Sequence, residues 1–126
     1  MLVEEASAGI TMNTTDVKPS STLLAEVNPQ AIARYKGMRA LVMPAPDVDV
    51  ATCETVLAMQ LAVRGHEVPF KIHAMRALAQ SMSLGQMEGL LLSGIGVSLL
   101  ASEAARALAW LREAHEELTR SSSSAG

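Results

Sequence analysis

Helix start and stop signals divide most of this chain into successive predicted helices, and this pattern limits the folds that the chain can adopt. Asn28 followed by Pro29 is typical of a helix N-terminus, with Asn as the N-cap and Pro at the first helical position. The helix is predicted to run to about Val42, because Pro44 and Pro46 stop it and favour an extended loop. No alternating strand pattern follows, so the chain is predicted to be all-α.

The second and third predicted helices are separated by a natural break at Arg64–Gly65. The second helix covers roughly residues 50–63. The third begins near His66 and carries Pro69 in its first turn, where the missing N–H costs nothing. Its predicted apolar stripe is Phe70, Ala74, Ala77 and Leu78, with His73 on the same side.

The last two predicted helices lie in the C-terminal third of the chain. Ser83 and Gln86 have the spacing of a capping box, which predicts a helix start. Gly94 and Gly96 either end this helix or allow another backbone to pack close to it. Its predicted stripe is Met87, Leu90, Leu91 and Ile95. A final amphipathic helix is predicted over about 102–118, with Ala104, Leu108, Leu111 and Leu118 on its buried face.

Composition supports helical packing and narrows the list of partners. The chain has 126 residues, of which 49% are apolar and only three, Tyr35, Phe70 and Trp110, are aromatic. So few aromatic residues favour packed helices over a β-sandwich. A net charge of −3 without a basic run gives no reason to expect a nucleic acid partner.

The ends of the chain differ from its middle. We expect residues 1–22 to be a flexible N-terminal arm, residues 23–120 to be the helical domain and residues 121–126 to be a disordered tail. The N-terminus does not read as a signal peptide, and no apolar run approaches the length of a membrane span. Cys53 is the single cysteine, so no intrachain disulfide can form, and we expect a cytoplasmic location.

Three polar residues in this apolar region are candidates for catalysis. Glu54 lies twelve positions before His66, and His73 follows seven positions later, about two helical turns. Imidazole titrates near neutral pH, so the set can serve acid–base chemistry. Three alternatives stay open: His73 as a hydrogen-bonded core residue, His66 as a helix cap, and all three as metal ligands. We expect no metal and no cofactor.

The order of these elements resembles the carboxymuconolactone decarboxylase family and its alkylhydroperoxidase D-like relatives. The likeness covers about residues 23–118 and includes the helix with Glu54, then HAMRAL from His73 and SLGQME from Ser83. The resemblance implies an alkylhydroperoxidase D-like bundle with a central antiparallel helix pair. It also implies a homo-oligomer, a trimer or a hexamer.

The chain departs from both branches of that family. The peroxidase branch has a Glu, two Cys three apart and a His four residues on; here these positions hold Glu54, His66, Pro69 and His73. The resemblance therefore implies loss of thiol peroxidase chemistry. The decarboxylase branch commonly has a Glu four or five residues before the His, and those positions do not hold Glu here.

These features favour a cofactor-independent enzyme of the decarboxylase, isomerase or cyclase type, acting on a small organic substrate. His73 would be the acid or base, Glu54 its partner, and His66 a second acid or a substrate binder. One alternative is a non-catalytic homolog that binds small molecules or assembles, and another is a redox protein that uses Cys53. Convergence of the three residues on one apolar pocket would favour the enzyme.

Overall fold

The computed structural model describes residues 20–125, and this part of the chain is all-α. Its helices are α1 Ser20–Val27, α2 Pro29–Val42, α3 Val50–Arg64, α4 Glu67–Gln80, α5 Leu84–Leu92 and α6 Ala101–Ala125. The predicted arm lies mostly outside the described residues, and its last three residues begin α1, a helix that the sequence does not predict. None of the described helices is both long and apolar enough to cross a membrane.

The first of two compact units ends at Asp49, and its described part consists of α1, α2 and the loop that follows them. The predicted N-cap is confirmed, because Asn28 Oδ1 accepts a hydrogen bond of 2.9 Å from the Ala31 N–H. The predicted end is confirmed as well, since α2 stops at Val42. Only Ser21 and Ile32 are buried in these two helices.

The second unit starts at Val50 and contains α3 to α6. Within it α4 packs against α3 on one side and against α6 on another, while α5 packs on α6. Much of the core is alanine, and these small side chains let the helix backbones approach closely. The fully buried alanines are Ala58, Ala62, Ala74, Ala77, Ala107 and Ala114.

The turn between α3 and α4 depends on a glycine. Gly65 has a φ of +75°, a conformation that L side chains rarely adopt, and its N–H donates to the Ala62 carbonyl. The Arg106 guanidinium of α6 lies against it, 2.9 Å from the place a Cβ would occupy. The same guanidinium lies 4.9 Å from the centre of the Trp110 ring, which packs on Phe70. The α3–α4 turn is thereby held against α6.

A lysine strengthens the contact between α4 and α6. Lys71 Nζ lies 2.8 Å from a Glu67 oxygen on its own helix and 2.6 Å from a Glu113 oxygen on α6. Its side chain is only 12% exposed. Burial lowers the pKa of Lys71, but the hydrogen bonds and charges of the two carboxylates outweigh burial and raise that pKa above its ordinary value.

The last two helices differ in part from expectation. The capping box is confirmed: Ser83 Oγ accepts from the Gln86 N–H at 3.0 Å, and Gln86 Oε1 accepts from the Ser83 N–H at 2.9 Å. The predicted stripe is wrong at two positions. Leu90, 46% exposed, lies outside the face of α5 that meets α6, and Ile95, 44% exposed, lies in the turn after α5 ends. Helix α6 continues past its predicted end to Ala125 and takes in most of the expected disordered tail.

Candidate functional site

Glu54 and His73 meet across the α3–α4 pair. Glu54 Oε1 lies 2.5 Å from His73 Nδ1, and the two residues are 6% and 2% exposed. The short Gly65–His66 connection makes α3 and α4 neighbours, and alanines on both helices let them pack closely. Two residues that are 19 positions apart in sequence are thus brought into direct contact.

The contact gives the imidazole a defined orientation. An ionised carboxylate only accepts hydrogen bonds, so with Glu54 in that form Nδ1 of His73 carries the hydrogen and donates it. This holds for a neutral ring with the proton on Nδ1 and for an imidazolium. In the neutral form Nε2 is left as the basic nitrogen, and in the charged form it is an acid. Burial at this site strengthens the electrostatic part of the interaction.

His66 does not join this pair. It occupies the N-cap position of α4, but its side chain makes no capping hydrogen bond. Its ring is exposed, and Nε2 lies 3.4 Å from Arg64 Nε, which donates to it. Its assignment as a second acid or substrate binder stays a prediction, without support from this arrangement. The interpretation as a side-chain cap is wrong, because the imidazole turns toward Arg64.

The geometry also bears on the other chemistries considered from the sequence. Among residues 20–125, no three His, Cys, Asp or Glu side chains are grouped so that they could hold a metal ion. Glu54, His66 and His73 therefore do not form a three-ligand centre. Cys53 is buried and next to Glu54 in sequence, and the positions of a redox dyad hold His66 and Pro69.

A groove on the opposite side of α3 is a feature that the sequence-based interpretation missed. Its volume is about 480 Å³, and it is lined by α3, by Met82, by the end of α5 and by the turn that follows α5. Glu54 and His73 do not line it. The signal in the sequence was the spacing of Val56, Met59 and Val63, which forms a second apolar stripe on α3 beside the one that faces the core.

Comparisons of the chain with protein-family models, with curated proteins and with solved structures found no match.

Proposed function

We propose that this protein is a cofactor-independent enzyme that transfers a proton on a small organic molecule, in a decarboxylation, isomerisation or cyclisation. His73 exchanges the proton with the substrate, and Glu54 is its partner. The buried 2.5 Å contact between Glu54 Oε1 and His73 Nδ1 supports this proposal most strongly. A buried imidazole whose second nitrogen is held by a carboxylate is a suitable general base.

The reaction would proceed through an enolate-like intermediate. Neutral His73 takes a proton from the substrate carbon on Nε2 and becomes an imidazolium. The Glu54 carboxylate stabilises that positive charge and prevents the ring from turning. The imidazolium then returns the proton to a different atom of the substrate, which completes an isomerisation. In a decarboxylation no carbon proton is removed first: His73 starts as the imidazolium and gives its Nε2 proton to the enolate that forms as CO₂ leaves.

The resemblance to the carboxymuconolactone decarboxylase and alkylhydroperoxidase D-like family supports the same class of reaction, and we extend the proposal to that family's fold and assembly. The described helices are compatible with an alkylhydroperoxidase D-like bundle. Several apolar side chains are largely exposed in a single chain, including Val27 at 86%, Leu41 at 82% and Val97 at 89%. Such surface supports a homo-oligomer. A sequence with a single cysteine, and so without an intrachain disulfide, supports a cytoplasmic location.

The experiment detects proton transfer without knowledge of the natural substrate. A panel of lactones and keto acids is incubated with the protein in D₂O, and deuterium incorporation next to the carbonyl is followed by NMR. We expect incorporation into at least one compound. His73→Gln should reduce that rate by about 10²–10⁴-fold, the usual contribution of a positioned acid or base. His66→Ala is the matched control and should retain most of the rate, because His66 is exposed and outside the pair.

A second candidate function is a binding or assembly protein without catalysis. It is favoured by two observations. His66 lies apart from Glu54 and His73, so the three residues do not converge on one apolar pocket. Glu54 and His73 do not line the groove, so the pair can be a buried hydrogen bond that only stabilises the helix pair. In that case no compound exchanges hydrogen faster with the wild type than with His73→Gln. His73→Gln would then alter the free energy of unfolding and nothing else.

A further inference from the structure

The groove beside α3 has the size and shape of a small-molecule site. Its volume of about 480 Å³ lies within the range of roughly 300–1,000 Å³ that such sites occupy. Val56, Met59 and Val63 of α3 form one wall. Leu90 and Leu99 contribute to the lining from α5 and the turn after it. An occupant would therefore need a mainly apolar body.

The polar groups of the groove restrict the charge of that occupant. No Asp, Glu, Lys, Arg or His is among the lining residues. An ion that entered would lose hydration without gaining a counter-charge. The polar lining consists of hydroxyls and one amide, contributed by Thr52, Thr55, Gln60, Ser93 and Ser98. The groove is therefore complementary to an uncharged molecule.

Two hydroxyls of the groove, those of Thr55 and Ser93, already donate hydrogen bonds within the protein. Thr55 Oγ1 donates to the Ala51 carbonyl at 2.7 Å, and Ser93 Oγ donates to the Leu90 carbonyl at 2.6 Å. Each hydroxyl has one hydrogen, so what these two groups retain is the capacity to accept. Ser93 is the more exposed of the two. At these two hydroxyls a ligand that donates a hydrogen bond fits better than one that only accepts, while Gln60 and Ser98 can both donate and accept.

The turn that contributes the far wall is closed by its own hydrogen bonds. The Gly94 carbonyl accepts from the N–H groups of Val97, Ser98 and Leu99 at 3.0, 2.9 and 3.1 Å. The Gly96 N–H donates to the Leu99 carbonyl at 2.9 Å. A wall that is already ordered costs a ligand less to bind than one that must fold around it.

We propose that this groove binds an uncharged, mainly apolar small molecule that carries a hydroxyl or N–H donor. The chemical class is that of alkylphenols and similar neutral alcohols. The proposal does not depend on catalysis by His73, because neither His73 nor Glu54 lines the groove. A second copy of the chain is the competing occupant, and the experiment separates the two.

The probe is 4-propylphenol, and the readout is the methyl spectrum of the protein labelled with ¹³C-methyl methionine. Met59 and Met82 line the groove, whereas Met75 and Met87 are buried in the core and serve as internal controls. We expect saturable shifts at the first two signals, with a dissociation constant of about 1 mM or tighter for a ligand of this size. Shifts that never saturate, or that are equal at all four methyls, would overturn the proposal.

Two analogues test the chemistry of the ligand. The methyl ether of the probe lacks the donor, and 4-propylbenzoate carries a negative charge. We expect each to bind about tenfold more weakly than the phenol, the effect of losing one hydrogen bond or of desolvating an unpaired charge. Benzoate binding as tight as that of the phenol would contradict an uncharged site. Ether binding as tight as that of the phenol would contradict the donor requirement.

A matched pair of variants separates a ligand from a second copy. Val63→Trp fills the groove, whereas Val68→Trp adds the same bulk at an exposed position outside it. We expect Val63→Trp to abolish phenol binding and Val68→Trp to retain it, with the sedimentation of both variants equal to that of wild type. If Val63→Trp alone dissociates an oligomer and the wild type does not bind the phenol, the groove is a subunit interface and the proposal fails.

Discussion

Removal of the Glu54 carboxylate should be far more costly than removal of a surface carboxylate. In Glu54→Ala, the His73 Nδ1–H loses its acceptor at a position where the residue is 2% exposed. Water has little access, so the N–H stays unsatisfied or the helices must separate. Leaving a buried donor without its acceptor costs about 1–3 kcal/mol, and the lost buried methylene of Glu54 adds about 0.8 kcal/mol, so we expect a loss of about 2–4 kcal/mol.

The size of the expected loss depends on what replaces the carboxylate. In Glu54→Gln the amide oxygen can still accept from Nδ1, and the side chain keeps nearly the same shape. A hydrogen bond to a charged group contributes about 1.5–3 kcal/mol and a neutral one about 0.5–1.5 kcal/mol. The difference predicts a loss of about 1–2 kcal/mol for Glu54→Gln, smaller than that for Glu54→Ala.

The assay is equilibrium unfolding in urea at one fixed protein concentration, since an oligomer makes the apparent stability concentration-dependent. Glu113→Ala is the matched control. It also removes a carboxylate from an ion pair, but the Glu113 side chain is 57% exposed, so we expect a loss of at most about 1 kcal/mol. Equal losses for Glu54→Ala and Glu113→Ala would refute the assignment of a buried, mutually dependent pair.

Four further predictions follow from other features. Gly65→Ala should lower the free energy of unfolding by about 1–2 kcal/mol, because the φ of Gly65 is +75°. Gly89 lies inside α5, and a Cβ added there would meet open space, so Gly89→Ala should raise the free energy of unfolding by about 0.5–1 kcal/mol in the same urea titration. Lys71 has a raised pKa, so its contribution to stability should be present below about pH 10.4 and be lost as pH rises through the folded-state pKa. The free energy of unfolding measured against pH should show this decrease at alkaline pH in the wild type and not in Lys71→Met. The wild type should not turn over hydroperoxide with a dithiol reductant, and Cys53→Ser should behave the same, since peroxidase chemistry needs a reactive thiolate with a resolving partner. Turnover by the wild type that is lost in Cys53→Ser would contradict this prediction. Sedimentation at micromolar concentration should give a trimer or hexamer, and a stable monomer would contradict the inference from exposed apolar side chains.

The sequence predicted helix starts correctly where the capping residues are characteristic. Asn28–Pro29 and Ser83 with Gln86 mark helix starts that the structure reproduces, because a cap satisfies backbone N–H groups whatever the tertiary context. Helix α1 escaped prediction because its eight residues follow a Ser-rich stretch and its contacts with α2 cannot be inferred from local sequence. Isolated helices that short are not stable without such packing.

The candidate site was only partly predictable, because it too depends on tertiary contacts that local sequence does not indicate. Periodicity places Glu54 and His73 on helix faces, and the structure brings them into contact. The spacing of seven residues between His66 and His73 also suggested a shared face, but His66 precedes α4 and its ring turns to Arg64. The groove depends on the turn closed by Gly94, whose hydrogen bonds no local pattern indicates.

The ring nitrogens of His73 offer the most direct test of the proposed proton-transfer pair. Long-range ¹H–¹⁵N NMR spectra of the wild type and of Glu54→Gln would show which nitrogen carries the proton. We predict that Nδ1 of His73 is protonated and protected from solvent exchange, and that Glu54→Gln shifts its resonance while that of His66 stays unchanged. If His73 gives the spectrum of an exposed imidazole and Glu54→Gln leaves it unchanged, the pair does not exist and the proposed mechanism is wrong.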